Sequence, residues 1–509
     1  LKDATTWPTL FFDFFETLRC ALRREVRELV PLSGCPRSPI EEDVLAVVKP
    51  TPSEVMKARR KAEQALKAAD EALRRAGFRG YRLSLEGSFA KDTWLRGELD
   101  LDIFALFKKD VCLKVASIFA DRVAPILRSM GYIVELRYAQ HPYVRFLVED
   151  IWAELVPGCL VDTPMEVLTP VDRTPFHREF INRTLTAEQK DEVRLLKSFL
   201  KGIDVYGAEM AIQGFSGYLA ELLIARYGCF KKLLEEAARW RPPVVLRLGD
   251  DKDFSQLKNA TTAMVFPDPV DPRRNAAAAV STRSLAVFVL ASKLYVEKPC
   301  REYFHVFQAP PPPVEPWQWG PRLDSVAVVE LVPAKAVAPD NLWGIAGRVR
   351  SILERSLSQK GFKLIHTSHV VIERGGGVKA LIYLEASTAR QPPKDVAMGP
   401  PAWASTRRVM GFIEKHLDIH VDSSGVLRAR RRLPGLSLYE AVKDILSVSL
   451  PSSVRKIGAM VRVLRGLDAA EAVAETGGKW AWETLNTGMY WLHVVAEKCG
   501  IPSMRSMRR

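Results

Sequence analysis

Apolar and polar positions change period several times along the chain. "PSEVMKARRKAEQALKAADEALRRAGF" begins at Pro52 and places Val55, Ala62, Ala65, Leu66, Ala69 and Leu73 at helical spacing. This predicts an amphipathic, strongly basic helix capped near Pro52-Ser53 and ended near Gly77. "YRLSLEG" follows as a short strand, and a second helix is expected over 111–130. "YIVELRYA" and "HPYVRFLVEDIWAELVPG" read as strands, with Glu149-Asp150 as a hairpin turn, so 50–160 forms one α/β unit. From 191 to about 240, and again through "VSTRSLAVFVLASKLYVEK", the pattern is that of a mainly helical domain. "APPPPVEPW" (309–317) is a stiff extended connector. Beyond it, "SVAVVELVP", a helix over about 341–359 and the hairpin "HVVIERGGGVKALIYLEAS" make a β-α-β-β pattern. The glycines at 375–377 are read as the hairpin turn and not as a phosphate loop, because no helix start and no Lys-Ser/Thr follow them. From about 430 onward the chain reads as helical, ending in the basic "SMRSMRR", and there is no internal repeat.

Composition narrows the classes. The chain of 509 residues is too long for one ordinary domain, and its 47% apolar and 26% charged content is that of folded protein. A net charge of +14 favours a polyanionic partner. No stretch approaches the roughly 20 apolar residues that span a bilayer, and the N-terminus lacks a signal-peptide core. The expectation is therefore a soluble, cytoplasmic protein that binds nucleic acid and no membrane. The chain begins with Leu1, which reads as a fragment or a literally translated unusual start codon, and sets the first forty residues outside the working protein. The seven cysteines are scattered without a C-x-x-C pair, which argues against structural zinc and for reduced thiols.

The chemistry gathers in "EGSFAKDTWLRGELDLDIFALF". Side chains two apart on a strand share a face, so Asp100 and Asp102 project together at the mouth of an apolar strand. Two close carboxylates raise one another's pKa, and a divalent ion resolves the conflict. A third carboxylate on a neighbouring strand would complete a two-metal site. Glu154, alone in an apolar strand, is the candidate, while Glu149 and Asp150 belong to a solvated turn. D-x-D alone more often marks a strand entry. Gly87-Ser88 shifts the balance, because a strand–turn–helix offers backbone N–H groups and a hydroxyl to a triphosphate, with Lys91 one turn later.

This arrangement resembles the nucleotidyltransferase signature of the DNA polymerase β superfamily. In order with it stand "HPYV", "PVDRTPFH", "VRLLKSFLKGIDVYGAE", "GFSGYLAELLI", "DPVDPRRNAAAAVS" and "MGPP". Together they resemble the class I, archaeal-type CCA-adding enzymes, the tRNA nucleotidyltransferases, over roughly 45–420.

The resemblance implies an α+β multidomain chain. An N-terminal extension (1–44) of uncertain role precedes a polymerase-β-like catalytic head (45–165). A mainly helical nucleotide-binding domain (166–300), an RRM-like tRNA-binding body (301–430) and a helical tail (431–509) follow. It implies that Asp100, Asp102 and Glu154 are catalytic and bind two Mg2+ ions, with Glu standing where the family usually has Asp. It implies that Ser88, Lys91, Thr174, His177, Lys197, Tyr206 and Arg274 contact CTP or ATP, with Lys91 in place of the commoner Arg and Arg274 concerned with choosing the base. On spacing alone Lys197 would be a solvated helix lysine and His177 a surface loop histidine. The implied partner is the acceptor and T arm of tRNA, held through phosphates. A homodimer is admitted but not required. The competing readings are a single-nucleotide tailing enzyme, such as a poly(A) polymerase, and an inactive RNA-binding protein on the same scaffold.

Overall fold

A computed structural model of the chain describes residues 35–138, 142–249, 262–374, 377–392 and 394–501. It divides into two compact units, Leu1–Gln308 with Val494–Arg509, and Ala309–His493. The second unit thus runs from 309 to 493, where the resemblance implies a body over 301–430 followed by a separate tail.

The first unit opens with helices α1 (Pro39–Val48) and α2 (Pro52–Arg75). Each starts on a reciprocal capping box, Ser38 with Glu41 and Thr51 with Glu54, followed by Pro at the first helical position. The cap of α2 is therefore Thr51, one residue before the expected Pro52-Ser53. The boundary expected at 44/45 cuts through α1. Its Val44, Leu45 and Val48 are buried, and Arg37 and Lys49 pair with Glu192 and Asp191 at 2.6 and 2.7 Å. The rest of the expected extension, 1–34, lies outside the described residues, as do His141 of "HPYV" and the "SMRSMRR" end.

Strands β1 (Tyr81–Glu86), β2 (Leu101–Lys108), β3 (Val134–Tyr138), β4 (Pro142–Val148) and β5 (Ile151–Leu160) form one sheet in the order β1-β2-β5-β4-β3. All neighbours are antiparallel except β2 and β5. Between β1 and β2 lies the single turn α3 (Gly87–Ala90), and between β2 and β3 the helix α4 (Cys112–Ser129). Alternation along β2 sends Ile103, Ala105 and Phe107 into a core with the alanine face of α2 and with Phe119 and Val123 of α4. Alanines at 65, 69 and 72 are wholly buried and let α2 lie close on the sheet. Glu149-Asp150 forms the β4–β5 turn and is held by Arg60 and Lys61.

The helical part comprises α5 (Thr174–Thr184), α6 (Ala187–Gly202), α7 (Gly217–Tyr227), α8 (Phe230–Ala237) and α9 (Thr282–Glu297). The two-stranded pair β6 (Val244–Val245) and β7 (Met264–Val265) lies between α8 and α9. Ten consecutive residues of α6, from Asp191 to Leu200, are buried. Its charged members are buried with partners, as burial requires.

The cysteine expectation is overturned. Cys35–Cys229, Cys112–Cys159 and Cys300–Cys499 are disulfides, with Cα atoms 6.5, 5.2 and 6.0 Å apart. Partners 47 to 199 residues apart in sequence leave no spacing signal, because the fold and not the chain brings them together.

The second unit holds a sheet of order β14-β8-β10-β9, entirely antiparallel: β8 (Val326–Val332), β9 (Leu364–Arg374), β10 (Gly377–Ala386) and β14 (Met460–Arg465). Helix α10 (Pro339–Gln359) joins β8 to β9, and α12 (Leu438–Ser449) precedes β14, giving β-α-β-β-α-β. The pairing Gly377↔Arg374 makes the glycine-rich segment a hairpin turn, as read, although 375–376 lie outside the described residues. Inserted between β10 and α12 are β11 (Lys394–Pro401), α11 (Thr406–Ile413), β12 (Ile419–Val421) and β13 (Val426–Arg432), with a sheet order β11-β13-β12. The expectation of a wholly helical tail is corrected, because Met460–Arg465 completes the body's sheet as its edge strand beside β8. One face of that sheet packs on α10 and α12, the other on 316–325, α13 (Gly466–Ala474) and α14 (Gly478–Asn486). No helix among the described residues is long and apolar enough to cross a membrane.

Candidate active site

The register of the first sheet builds the site. Asp102 on β2 lies opposite Glu86 on β1 and opposite Glu154 on β5. Register partners point to one side, so three carboxylates stand in a row across three strands about 4.8 Å apart. At that spacing two unit charges near a protein surface repel by about 3 kcal/mol. The consequence falls on the central member. Burial first, then Glu154 and Asp100, push the Asp102 carboxyl up to about 7. Burial also raises Glu154, against the pull of Arg145, and raises Glu86, against the pull of Arg178 at 3.0 Å.

Asp100 lies just before β2 and is exposed. Arg145 reaches Asp100 at 3.4 Å and Glu154 at 3.9 Å while its guanidinium rests on the Trp152 ring at 4.5 Å. The sequence-predicted trio of Asp100, Asp102 and Glu154 is thus brought together, and Glu86 is a fourth acid that the sequence reading missed. It was legible as the residue before Gly87 at a strand end.

Gly87 is required where it stands. Its φ is +67°, and a Cβ there would lie 1.7 Å from Asp102 Oδ2. The Asp102 carboxylate therefore lies directly on the backbone of the Gly-Ser turn, and Ser88 follows at its side in α3.

Lys91 comes next and turns inward to Glu221 of α7, with Nζ–Oε2 2.5 Å. The other oxygen of Glu221 accepts from Thr93 at 2.7 Å and faces Lys197 Nζ at 3.8 Å. Lys197 also donates to the Thr93 carbonyl and hydroxyl, at 2.9 and 3.0 Å. It is 3% exposed, so the solvated reading of this lysine is overturned: α6 is buried on all sides here. Burial lowers its ammonium to about 8, against the raising pull of Glu221. Burial alone would raise Glu221, yet Lys91 and Lys197 outweigh it and hold the carboxyl below its usual value. Two cations share one carboxylate, leaving one positive charge in excess. Arg194 fixes the intervening loop by donating to the Asp92 and Trp94 carbonyls at 2.8 and 3.1 Å. Glu221 was missed, though a lone acid in the apolar run "GYLAELLIARY" carried the same signal as Glu154.

Tyr206 stands beside this cluster. A Cβ on Gly217 would lie 2.9 Å from its hydroxyl and 3.7 Å from Lys197 Cε. Thr174 begins α5, and His177 lies one turn later on it. His177 Nε2 meets Asp268 Oδ2 at 2.8 Å, and its ring stacks on Tyr218 with centroids 3.9 Å apart. Arg274 donates to the same Asp268 oxygen at 2.8 Å. Arg273 turns away to Asp271. The structure therefore joins His177 to Arg274 through Asp268, and Lys91 to Lys197 through Glu221, all within the first unit. Asp268 and Tyr218 had no sequence signal beyond the motif that contains them.

The acids fit a divalent cation: hard oxygen ligands, a central carboxyl raised by like charge, and Glu86 Oε2 without a hydrogen-bond partner among the described residues.

The family described as tRNA nucleotidyltransferase, second domain, matches residues 191–305. A CCA-adding enzyme of Sulfurisphaera tokodaii is 35% identical over 394 residues, covering 77% of this chain and 88% of that protein. A CCA-adding enzyme of Sulfolobus acidocaldarius is 37% identical over 330 residues, covering 64% of this chain and 73% of that protein. A solved structure of mtPAP in apo form aligns over 54% of this chain and 70% of that chain, at 12% identity and a TM-score of 0.40, too loose a likeness to bear on the argument.

Proposed function

The chain belongs to the CCA-adding enzyme family, the class I tRNA nucleotidyltransferases, and we propose that Asp100, Asp102 and Glu154 are the acids on which its transfer reaction runs. It adds CCA to the 3′ end of tRNA without a nucleic-acid template. The observation that carries the site assignment is the Asp102↔Glu154 register beside exposed Asp100, with the Asp102 carboxyl up to about 7.

In the reaction the tRNA 3′ oxygen forms a bond to the α-phosphorus of CTP or ATP, the bond to the β-phosphate oxygen breaks, and pyrophosphate leaves. Two Mg2+ ions held by the three acids would supply the positive charge that this displacement needs. The chain's own residues do the rest. Ser88 and the backbone of the Gly87 turn face the triphosphate from beneath Asp102. The excess positive charge of the Lys91–Glu221–Lys197 cluster draws the phosphates, with Tyr206 beside it. Thr174 and His177 approach the nucleotide from α5, and Arg274 reads the base. The body would take the acceptor and T arm of tRNA. Its split β-α-β sheet supports the RRM-like reading, but both faces are covered within the unit, so phosphate contacts from basic strands such as β13 carry the load rather than base stacking.

The test is to supply magnesium, tRNA lacking its 3′ end, and CTP, ATP or both. Growth ending in CCA only with both nucleotides supports the reading. Unlimited A-tails select a poly(A)-type enzyme, and no growth selects an inactive scaffold. Asp100→Ala or Asp102→Ala with near-normal turnover would sink the metal assignment.

A further inference from the structure

Asp268 stands among the residues assigned to the nucleotide and is fully buried. Its two oxygens are filled by four donors. Oδ1 accepts from the Tyr218 hydroxyl at 2.9 Å and the Val270 N–H at 3.0 Å. Oδ2 meets Arg274 Nη1 and His177 Nε2, both at 2.8 Å. A carboxylate so occupied has no lone pair left for a substrate or a metal, so whatever it does, it does through its partners. The loop that carries it is closed on itself. Asp268 N–H donates to the Arg274 carbonyl at 2.9 Å, and Arg274 N–H donates to the Asp271 carbonyl at 2.9 Å. Asn275 locks the loop's end to Phe266 and Met264 at 2.9 Å each.

We propose that Asp268 is a positioning residue for nucleotide choice, binding Arg274, His177 and Tyr218 into one preformed reader of the base. The inference rests on the reading of Arg274 given under Proposed function. Anchored by one Nη to Asp268, the Arg274 side chain is still 41% exposed, so the guanidinium keeps an outer edge of N–H donors for a ligand. Donors suit the bases this enzyme accepts. Cytosine N3 and adenine N1 are acceptors, whereas uracil N3 and guanine N1 carry a proton and would meet the arginine donor to donor. Because His177 Nε2 faces a carboxylate, that nitrogen carries the proton, which fixes the tautomer of the ring and leaves Nδ1 as its open nitrogen. Tyr218 stacks on that ring and bonds the same carboxylate, so ring, arginine and carboxylate move as one body. A loose arginine would still bind phosphate and base, but without a fixed direction it could not discriminate.

The experiment measures kcat and KM for CTP, UTP and ATP on tRNA lacking its 3′ end, for Asp268→Asn, Arg274→Ala and the double variant. Asp268→Asn is expected to lower the CTP-over-UTP preference in kcat/KM by about tenfold or more, chiefly through KM for CTP, with tRNA affinity unchanged. The double variant is expected to be no less selective than Arg274→Ala alone, because both changes remove the same device. Wild-type selectivity in Asp268→Asn, or losses that multiply in the double variant, would overturn the proposal. If Arg274→Ala itself keeps full selectivity, the reading of Arg274 falls and this inference with it. If only Asp268→Asn keeps it, the reading of Arg274 stands and the inference alone falls. Should Asp268→Asn not fold, Tyr218→Phe carries the test. It removes one of the four donors to Asp268 without changing charge and is expected to cost about threefold in selectivity. No change there would equally overturn the proposal.

Discussion

Replacing Asp102 by Asn should abolish transfer and at the same time stabilise the metal-free protein, increasingly so as pH rises. The Asp102 carboxyl is raised from 3.8 to about 7 in the folded chain, by burial, Glu154 and Asp100. A folded pKa above the unfolded one means that stability is full below the unfolded value. It drains away as pH climbs from about 4 and is lost once pH passes about 7. Roughly three pH units at about 1.4 kcal/mol each put the full loss near 4 kcal/mol. Asparagine keeps the shape and never ionises, so the variant escapes the loss. The measurement is denaturant unfolding of both proteins with a chelator present, at pH 5 and pH 8. The variant's advantage should be below about 2 kcal/mol at pH 5 and near its full value at pH 8. Because both proteins share every other titrating group, the pH dependence of the difference belongs to Asp102 and the acids around it. Adding Mg2+ at pH 8 should then close the gap by stabilising the wild type alone. An advantage equal at the two pH values, or a wild type more stable than the variant at pH 8 without metal, would refute the picture of a carboxyl held against its neighbours.

Other expectations test the surroundings of that carboxyl. Gly87→Ala forces a Cβ to within 1.7 Å of Asp102 Oδ2 at a φ of +67°, so transfer should fall about a hundredfold or more. The backbone strain costs only about 1–2 kcal/mol of stability, and turnover and melting can be read from the same preparation. In the wild type, KM for the nucleotide should rise as pH passes about 8, because Lys197 there loses the charge it offers the triphosphate. Glu221→Gln removes a raising influence on Lys197, so that rise should begin at lower pH, with a loss of about 3–5 kcal/mol in stability from the broken buried pair. Glu154→Asp, which keeps the carboxylate and shortens the side chain by one methylene, should preserve transfer and its metal requirement; loss of all activity would show that this sheet is built for the longer side chain.

Much of this was visible in the sequence, and the division is physical. Period and turn residues disclosed the helices, the β4–β5 turn and the alternation that puts Asp102 on the face away from α2. Glu154 was legible because an acid in an apolar strand is costly without a purpose. What stayed hidden depends on long-range register or on three-dimensional proximity. The Asp102–Glu86 pairing needed the antiparallel return of β1, and Lys197 looked like any helix lysine until α6 was found buried on all sides. Asp268 sits in a loop whose meaning comes from residues 91 and 50 positions away, His177 and Tyr218. Arg60 and Lys61 holding the β4–β5 turn, and α1 pinned to α6, escaped for the same reason. The strand Met460–Arg465 was read as part of a helical tail because "MVRVLR" is short and follows a helix, while its partner β8 lies more than a hundred residues earlier.

The Cys300–Cys499 bond gives the polypeptide a different connectivity from the one its residue numbers suggest. Between these two sulfurs lies the whole of Ala309–His493, so the second unit is threaded on a covalent ring and does not hang from an open strand. A single nick anywhere in the proline-rich stretch after Gln308 would open the ring without parting the pieces. The unit would stay joined to the head until a reductant reached the sulfurs.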